Sequence, residues 1–74
     1  KIIRYYSFSS DLPKANIYAI IKVGTLGQGT LVGFAKGSTS RDQTYEAKIT
    51  EYLANIQFDK SSEESNVILL FNFN

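Results

Sequence analysis

The segment "KGSTSR", residues 36–41, contains the residue types that best suit chemistry. It combines two cations, three hydroxyls and one glycine directly before a predicted helix. Unpaired N–H groups and the dipole at a helix N-terminus both favour an anion, so the segment predicts a phosphate contact. The alternative is that Ser38, Thr39 and Ser40 only cap the helix, as hydroxyl side chains commonly do.

The glycine-rich stretch "GTLGQG", residues 24–29, does not fit a nucleotide-binding loop. A dinucleotide-binding loop joins a strand to a helix, whereas these glycines separate two predicted strands. A Walker loop ends in Gly-Lys-Ser/Thr, whereas "AKGST" has its lysine and glycine in the reverse order. We therefore interpret the glycines as a hairpin turn, to which they contribute positive φ angles.

Composition limits the chemistry that the chain can perform. The 74 residues include no His and no Cys, which excludes histidine-based catalysis, disulfides and the usual zinc sites. The remaining candidates are the carboxylate pairs Asp42 with Glu46, Glu46 with Glu51, and Glu63 with Glu64. Their placement on a polar helix face or in a loop is typical of solvated surface charge. We therefore expect no enzymatic activity, no metal and no cofactor.

The net charge of +1 is unevenly distributed along the chain. Residues 1–41 carry six cationic side chains against one carboxylate, a balance of +5, and residues 42–74 carry two against six, a balance of −4. Such an asymmetry can mark an anion-binding face. The alternative is that the cations are scattered over the surface and individually solvated.

A length of 74 residues with 43% hydrophobic content predicts one small folded domain that spans residues 1–74. No apolar run approaches the roughly 18 residues that a membrane span requires, so we expect no membrane partner. No targeting segment is recognisable, and the compartment stays open, with the cytoplasm slightly favoured. The chain begins at Lys1 rather than Met, which is compatible with a fragment or a processed product.

The apolar pattern predicts four strands and one helix in the order β-β-β-α-β. Alternating, aromatic and β-branched residues indicate strands at residues 2–9, 17–23, 30–36 and 67–73. A cap at Ser40, paired with Gln43, or at Thr39 predicts a helix that ends near Gln57. Its apolar stripe consists of Tyr45, Ile49, Tyr52, Leu53 and Ile56. We therefore expect an α+β fold, an antiparallel sheet of about four strands with the helix packed on one face as a two-layer sandwich.

The stretch from "NIYAIIKV" to "GSTSRDQ" resembles the double-stranded RNA-binding domain. The alternating strand, the glycines Gly33 and Gly37, and the helix opening "GSTSR" match that family's pattern over residues 5–56. The resemblance implies that the helix N-terminus contacts phosphates and that the shape of an RNA duplex is recognised. It assigns phosphate contacts to Lys36, Ser38, Ser40 and Arg41, assistance to Lys48, and a minor-groove loop to Lys14.

Several features depart from that family. Its first helix is absent, its run of lysines is reduced to Arg41, and the strand at residues 67–73 has no counterpart. Because few cations would release few counterions, we expect any affinity for RNA to be weak and salt-sensitive.

The alternative to RNA is a protein partner. A single helix covers one face of a sheet, so apolar residues that point both ways on the first and last strands imply an exposed patch. The candidate interface residues are Tyr6, Phe8, Ile68, Leu70 and Phe71. This interpretation predicts a homo- or hetero-oligomer, or a small inhibitor or toxin subunit. A further possibility is a single-stranded nucleic acid stacked on Tyr18 and Phe34, on neighbouring strands.

Overall fold

Four strands and one helix form in the order that the apolar pattern predicts. The computed structural model describes residues 2–9 and 11–74, which form β1 (Ile2–Phe8), β2 (Ala15–Val23), β3 (Gly29–Phe34), α1 (Gln43–Leu53) and β4 (Ser65–Phe73). Lys1, counted among the cations, and Ser10, in the predicted loop, lie outside the described residues. The α+β class and the single helix packed on a four-stranded sheet are confirmed.

The sheet is mixed rather than fully antiparallel, which corrects one part of the expectation. Its strand order is β1-β4-β2-β3, with β4 antiparallel to β2 and parallel to β1. The strands β1 and β2 run in opposite directions and lie two strand spacings apart, about 9.6 Å. Any strand inserted between two oppositely directed neighbours must be parallel to one of them. The last strand of the chain takes this central place and imposes the parallel pair.

The hydrophobic core lies between one face of the sheet and α1. The helix contributes Tyr45, Ile49 and Leu53, all buried. Alternate residues of the two central strands face them, namely Ala15, Ile17, Ala19, Ile21 and Val23 from β2 and Leu69, Phe71 and Phe73 from β4. The opposite sheet face has no helix over it among the described residues.

The helix ends at Leu53, four residues before the predicted end at Gln57. The N–H groups of Asn55 and Ile56 donate to carbonyls three residues back, at 3.0 and 3.1 Å, so the last turn tightens. The chain then turns toward the hairpin, where the N–H of Phe58 donates to the carbonyl of Gly27 at 2.9 Å. Burial of the Phe58 ring beside Gly29 stabilises this exit from the helix.

The glycine-rich stretch forms the hairpin turn between β2 and β3, as predicted. The N–H of Gly24 donates to the carbonyl of Gln28 at 2.9 Å, and the N–H of Gly27 donates to the carbonyl of Gly24 at 3.0 Å. Gly27 has a φ of 86°, a conformation that side chains other than glycine rarely adopt. In the described part of the chain, α1 is too short and too polar to cross a membrane.

The one-sided packing of α1 predicts a contrast between neighbouring helix residues. Ile49→Val removes one methylene from a fully buried side chain, so we expect the free energy of unfolding to fall by about 1 kcal/mol in a chemical denaturation experiment. The control is Thr50→Ser, which also removes one methylene equivalent, at the adjacent exposed position, and it should cost less than about 0.5 kcal/mol. Equal losses at the two positions would contradict this packing.

Candidate functional site

The hydroxyls of the 36–41 segment complete the edge of β2. Strand β3 ends at Phe34, so the first residues of β2 have no partner strand on that side. Ser38 Oγ accepts the N–H of Tyr18 at 2.9 Å and donates to the carbonyl of Ala35 at 2.9 Å. Thr39 Oγ1 accepts the N–H of Asn16, also at 2.9 Å. Two hydroxyls predicted near a helix start therefore substitute for a missing stretch of strand, which no local sequence signal indicates.

The N-cap of α1 is Asp42, so the predicted caps at Ser40 and Thr39 are wrong. Asp42 Oδ1 accepts the backbone N–H of Thr44 and the hydroxyl of Thr44, each at 2.9 Å. These hydrogen bonds, the backbone bond first, lower the pKa of Asp42 below its ordinary value. A carboxylate therefore already occupies the helix end at which a phosphate would have to bind.

Most residues assigned by the RNA-binding resemblance lie near the first turn of α1. Arg41 donates to the carbonyl of Phe34 at 3.1 Å, and Lys36 is exposed at the preceding turn. The hydroxyl of Tyr45 donates to the carbonyl of Pro13 at 2.6 Å, which holds the loop that contains Lys14 against this turn. Ser40 accepts the N–H of Asp42 at 3.3 Å, and Lys48 is exposed further along the helix. Their contacts with RNA stay a prediction.

The residues predicted at a protein interface divide between the two faces of the sheet. Phe71 is fully buried and stacks against Tyr6 with ring centroids 5.3 Å apart, so it offers no surface to a partner in this fold. Phe8 is half-buried beside Tyr52, with ring centroids 4.6 Å apart. Ile68 and Leu70 alternate with the core residues of β4 and lie half-exposed on the opposite face.

The pairing of Tyr18 with Phe34 as a base-stacking platform is wrong. Phe34 pairs with Ala19 across the β2–β3 ladder and packs against the core, whereas Tyr18 points to the other side of the sheet. A β-bulge in β3 interrupts the alternation of its side chains between the two sheet faces. Sequence spacing alone therefore predicts the wrong face for one of the two rings.

The sheet face opposite α1, called the open face below, carries a continuous group of apolar side chains. Register places Tyr5, Leu70 and Tyr18 in one row across three strands, and Ile68 and Ile20 in the adjacent row. The group consists of Tyr5, Tyr18, Ile20, Val32, Ile68 and Leu70, and each is half-exposed or exposed. Tyr5 on β1 is 61% exposed and Val32 on β3 is 62% exposed. A contiguous apolar surface on a small domain is typical of an interaction site.

Uncharged polar groups and one ion pair border the open face. At one end Asn74 Nδ2 donates to Ser7 Oγ at 2.9 Å and to Asn72 Oδ1 at 3.0 Å, and Asn72 donates to Asn16. At the other end Lys22 Nζ lies 3.3 Å from Glu64 Oε1. Within residues 2–9 and 11–74, strand alternation places no other charged strand residue on this face.

Gly33 leaves a flat area on the open face beside Ile20. Leu31 and Phe34 both pack against the core, so the bulge places Val32 and Gly33 together on the open side. A Cβ at Gly33 would meet no atom within 4 Å, and its φ angle is not positive. Neither positive φ nor crowding within the chain requires glycine here, and Gly33 lies at the bulge of β3, a place where strand glycines are common.

The remaining described surface offers shallow depressions. In the part of the chain that the structure describes, no group of three His, Cys, Asp or Glu side chains could hold a metal ion. One depression of about 320 Å³ is lined by Leu12, Thr44, Ala47, Lys48 and Glu51.

Comparison of the chain with protein-family models, with curated proteins and with solved structures finds no match.

The strand-completing role of Ser38 predicts a stability defect. Ser38→Ala leaves the half-buried N–H of Tyr18 without its acceptor, so we expect the free energy of unfolding to fall by about 1–3 kcal/mol. Ser40→Ala serves as the control, because the Ser40 hydroxyl accepts a longer bond, from the N–H of Asp42 at 3.3 Å, and bonds to no strand. Chemical denaturation measures both variants, and a neutral Ser38→Ala would contradict this role.

The Asp42 cap predicts an acid-sensitive stability. Because hydrogen bonds lower the folded-state pKa of Asp42, its contribution is complete above the unfolded pKa of about 4 and is lost as the pH falls through the folded pKa. Asp42→Asn retains a capping oxygen that does not titrate. Thermal unfolding between neutral pH and pH 2 should therefore show a smaller loss of Tm for Asp42→Asn than for the wild type. Identical losses would contradict the assignment.

Proposed function

We propose that this chain is a non-catalytic binding module that docks a protein partner on its open face. The observation that carries the proposal is the uncovered apolar group across the four strands, with Tyr5 61% exposed at its margin. Aromatic side chains that retain large exposed area contribute strongly to protein interfaces once they are desolvated. The bordering asparagines and the Lys22–Glu64 pair supply the polar rim that such interfaces have.

Charge favours a protein over a nucleic acid at this face. Affinity for a phosphate backbone depends on several cations, whereas the described strand residues place one on the open face, Lys22, and it is paired with Glu64. At the helix N-terminus the Asp42 carboxylate opposes a phosphate, and the hydroxyls of Ser38 and Thr39 are engaged by β2. The observation that favours RNA is the loop of Lys14 held against the first turn of α1, near Arg41.

A site-specific photo-crosslinker tests which surface binds a partner. With benzoylphenylalanine in place of Tyr5, in the protein as expressed in its native host, we expect adducts that protease removes and nuclease does not. The control places the same residue at Leu26, which is 67% exposed in the β2–β3 turn and lies off the open face. Adducts of equal yield at both positions, or none at Tyr5, would overturn the proposal.

Titration of a 20-base-pair RNA duplex at low and moderate salt tests the other class of partner. The proposal predicts no binding, or binding that Arg41→Ala leaves unchanged. Affinity that falls steeply with salt and is lost in Arg41→Ala would instead support the resemblance to the RNA-binding family.

A further inference from the structure

We infer that the protein partner adds an antiparallel β-strand to the free edge of β1, through an extended segment with an acidic residue opposite Arg4 and an apolar residue opposite Phe8. This inference rests on the proposed function, because Tyr5 of the open face is itself a residue of β1. It concerns the edge of the sheet, where main-chain groups as well as side chains can bind a partner.

The two edge strands of the sheet, β1 and β3, differ in how their outer edges are protected. Strand β3 has a β-bulge in its pairing with β2, and its carbonyl at Phe34 accepts a hydrogen bond from Arg41 at 3.1 Å. Strand β1 pairs regularly with β4 from Arg4 to Phe8 and contains no proline. Bulges and covering groups are usual means of blocking an edge against further pairing. Over residues 4–8 the described structure shows neither of them, so β1 can accept another strand.

One hydrogen bond fixes which main-chain groups of β1 point outward. The carbonyl of Phe8 accepts the N–H of Asn74 at 2.9 Å, so the main-chain groups of Phe8 point toward β4. In a strand, the N–H and C=O of one residue point to one side and those of the next residue point to the other. Tyr6 therefore also points toward β4, whereas Tyr5 and Ser7 present their N–H and C=O groups to the free edge. An added strand would bond these groups, as β4 does on the inner edge.

Arg4 favours an acidic residue on the added strand. Its guanidinium donates to Tyr6 Oη at 3.3 Å and lies 5.9 Å from the centroid of the Phe58 ring, and both contacts hold it beside β1. Among the described residues Arg4 forms no ion pair, since the nearby Asp59 lies beyond ion-pair distance. Opposite charges on directly facing residues of two strands attract. A carboxylate opposite Arg4 would therefore complement this edge.

A depression beside Phe8 offers space for an apolar side chain. It has a volume of about 270 Å³, lies between α1 and the end of β1, and is lined in part by the rings of Phe8, Tyr52 and Phe73. The helix packs toward β3, which leaves this side of the sheet less covered. Facing residues of paired strands share a sheet face, so a residue opposite Phe8 points to the side of this depression.

The direction of the added strand sets the order of these residues in the partner. Antiparallel pairing is slightly more stable per residue than parallel pairing. Arg4 and Phe8 are four positions apart and share a sheet face, so the partner carries its apolar residue four positions before its acidic residue. The order Phe-Thr-Val-Thr-Glu has this pattern, with valine opposite Tyr6 and threonines opposite Tyr5 and Ser7.

Titration of the isotope-labelled full chain with the blocked peptide Thr-Phe-Thr-Val-Thr-Glu-Thr, followed by nuclear magnetic resonance, tests the inference. We expect binding in the millimolar range or tighter, with the largest shifts at the amide signals of Tyr5 and Ser7. The same peptide with lysine in place of glutamate should bind about threefold more weakly or worse, and Arg4→Gln should abolish that difference. A peptide of reversed sequence should also bind more weakly.

Ser7→Pro tests the main-chain contact. It deletes an N–H that points away from β4, and proline is accepted at such a position of an edge strand. Peptide affinity should fall about tenfold. The matched control is Ser7→Ala, which retains the N–H and loses only the hydroxyl that accepts from Asn74, so its affinity should equal that of the wild type. Thermal unfolding shows whether each variant is folded.

Amide hydrogen exchange in the wild type tests the same geometry without a substitution. The N–H groups of Tyr5 and Ser7 should exchange faster than those of Tyr6 and Phe8, which bond to β4. The reverse order would overturn the assignment of the outward groups and with it the inference.

The other contrary outcomes also overturn the inference. Absence of shifts at Tyr5 and Ser7 with millimolar peptide excludes strand addition, and protein adducts at Tyr5 would then still support the docking function. Equal affinity of Ser7→Pro, or of the lysine peptide, places the contact elsewhere. Shifts that depend on chain concentration rather than on peptide assign the edge to a second copy. Absence of both peptide binding and protein adducts overturns the inference and the proposed function together.

Discussion

The insertion of β4 between β1 and β2 is the constraint on which the rest of the structure depends. It pairs with β2 over nine residues, from Ala15 opposite Phe73 to Val23 opposite Ser65, and with β1 on its other edge. The alternating side chains of β4 therefore supply the centre of both sheet faces. Leu69, Phe71 and Phe73 complete the core under α1, whereas Ile68 and Leu70 form the middle of the open face.

A single helix cannot cover both faces of a four-stranded sheet. The face under α1 is therefore packed, whereas the open face has no described helix over it. The covered side gathers aromatic rings of β1, β4 and α1 into contacts such as Phe8 with Tyr52 and Tyr45 with Phe73. The other side leaves Tyr5 and Val32 largely in solvent. Removing apolar surface from water is favourable. The open face still exposes apolar surface after folding, so binding there could bury it.

A difference in strand length explains why Ser38 and Thr39 form hydrogen bonds with β2. Strand β2 has nine residues and β3 has six, so the first N–H groups of β2 lack a strand partner. Ser38 and Thr39 accept two of them, which leaves Asp42 to cap the helix. The sequence suggests that these hydroxyls could bind an anion. In the structure they accept hydrogen bonds from backbone N–H groups that lie 20 and 23 residues away in the chain.

The sequence by itself determined the element order, the apolar stripe of α1 and the hairpin at Gly27, because these follow from periodicity and backbone conformation over short distances. Only the tertiary structure decided that β4 lies centrally, that Phe71 is core while Leu70 is surface, and that Ser38 completes β2. Alternation assigns residues to two faces but does not say which face the helix covers. That choice depends on strand order, which arises from contacts between residues far apart in the chain.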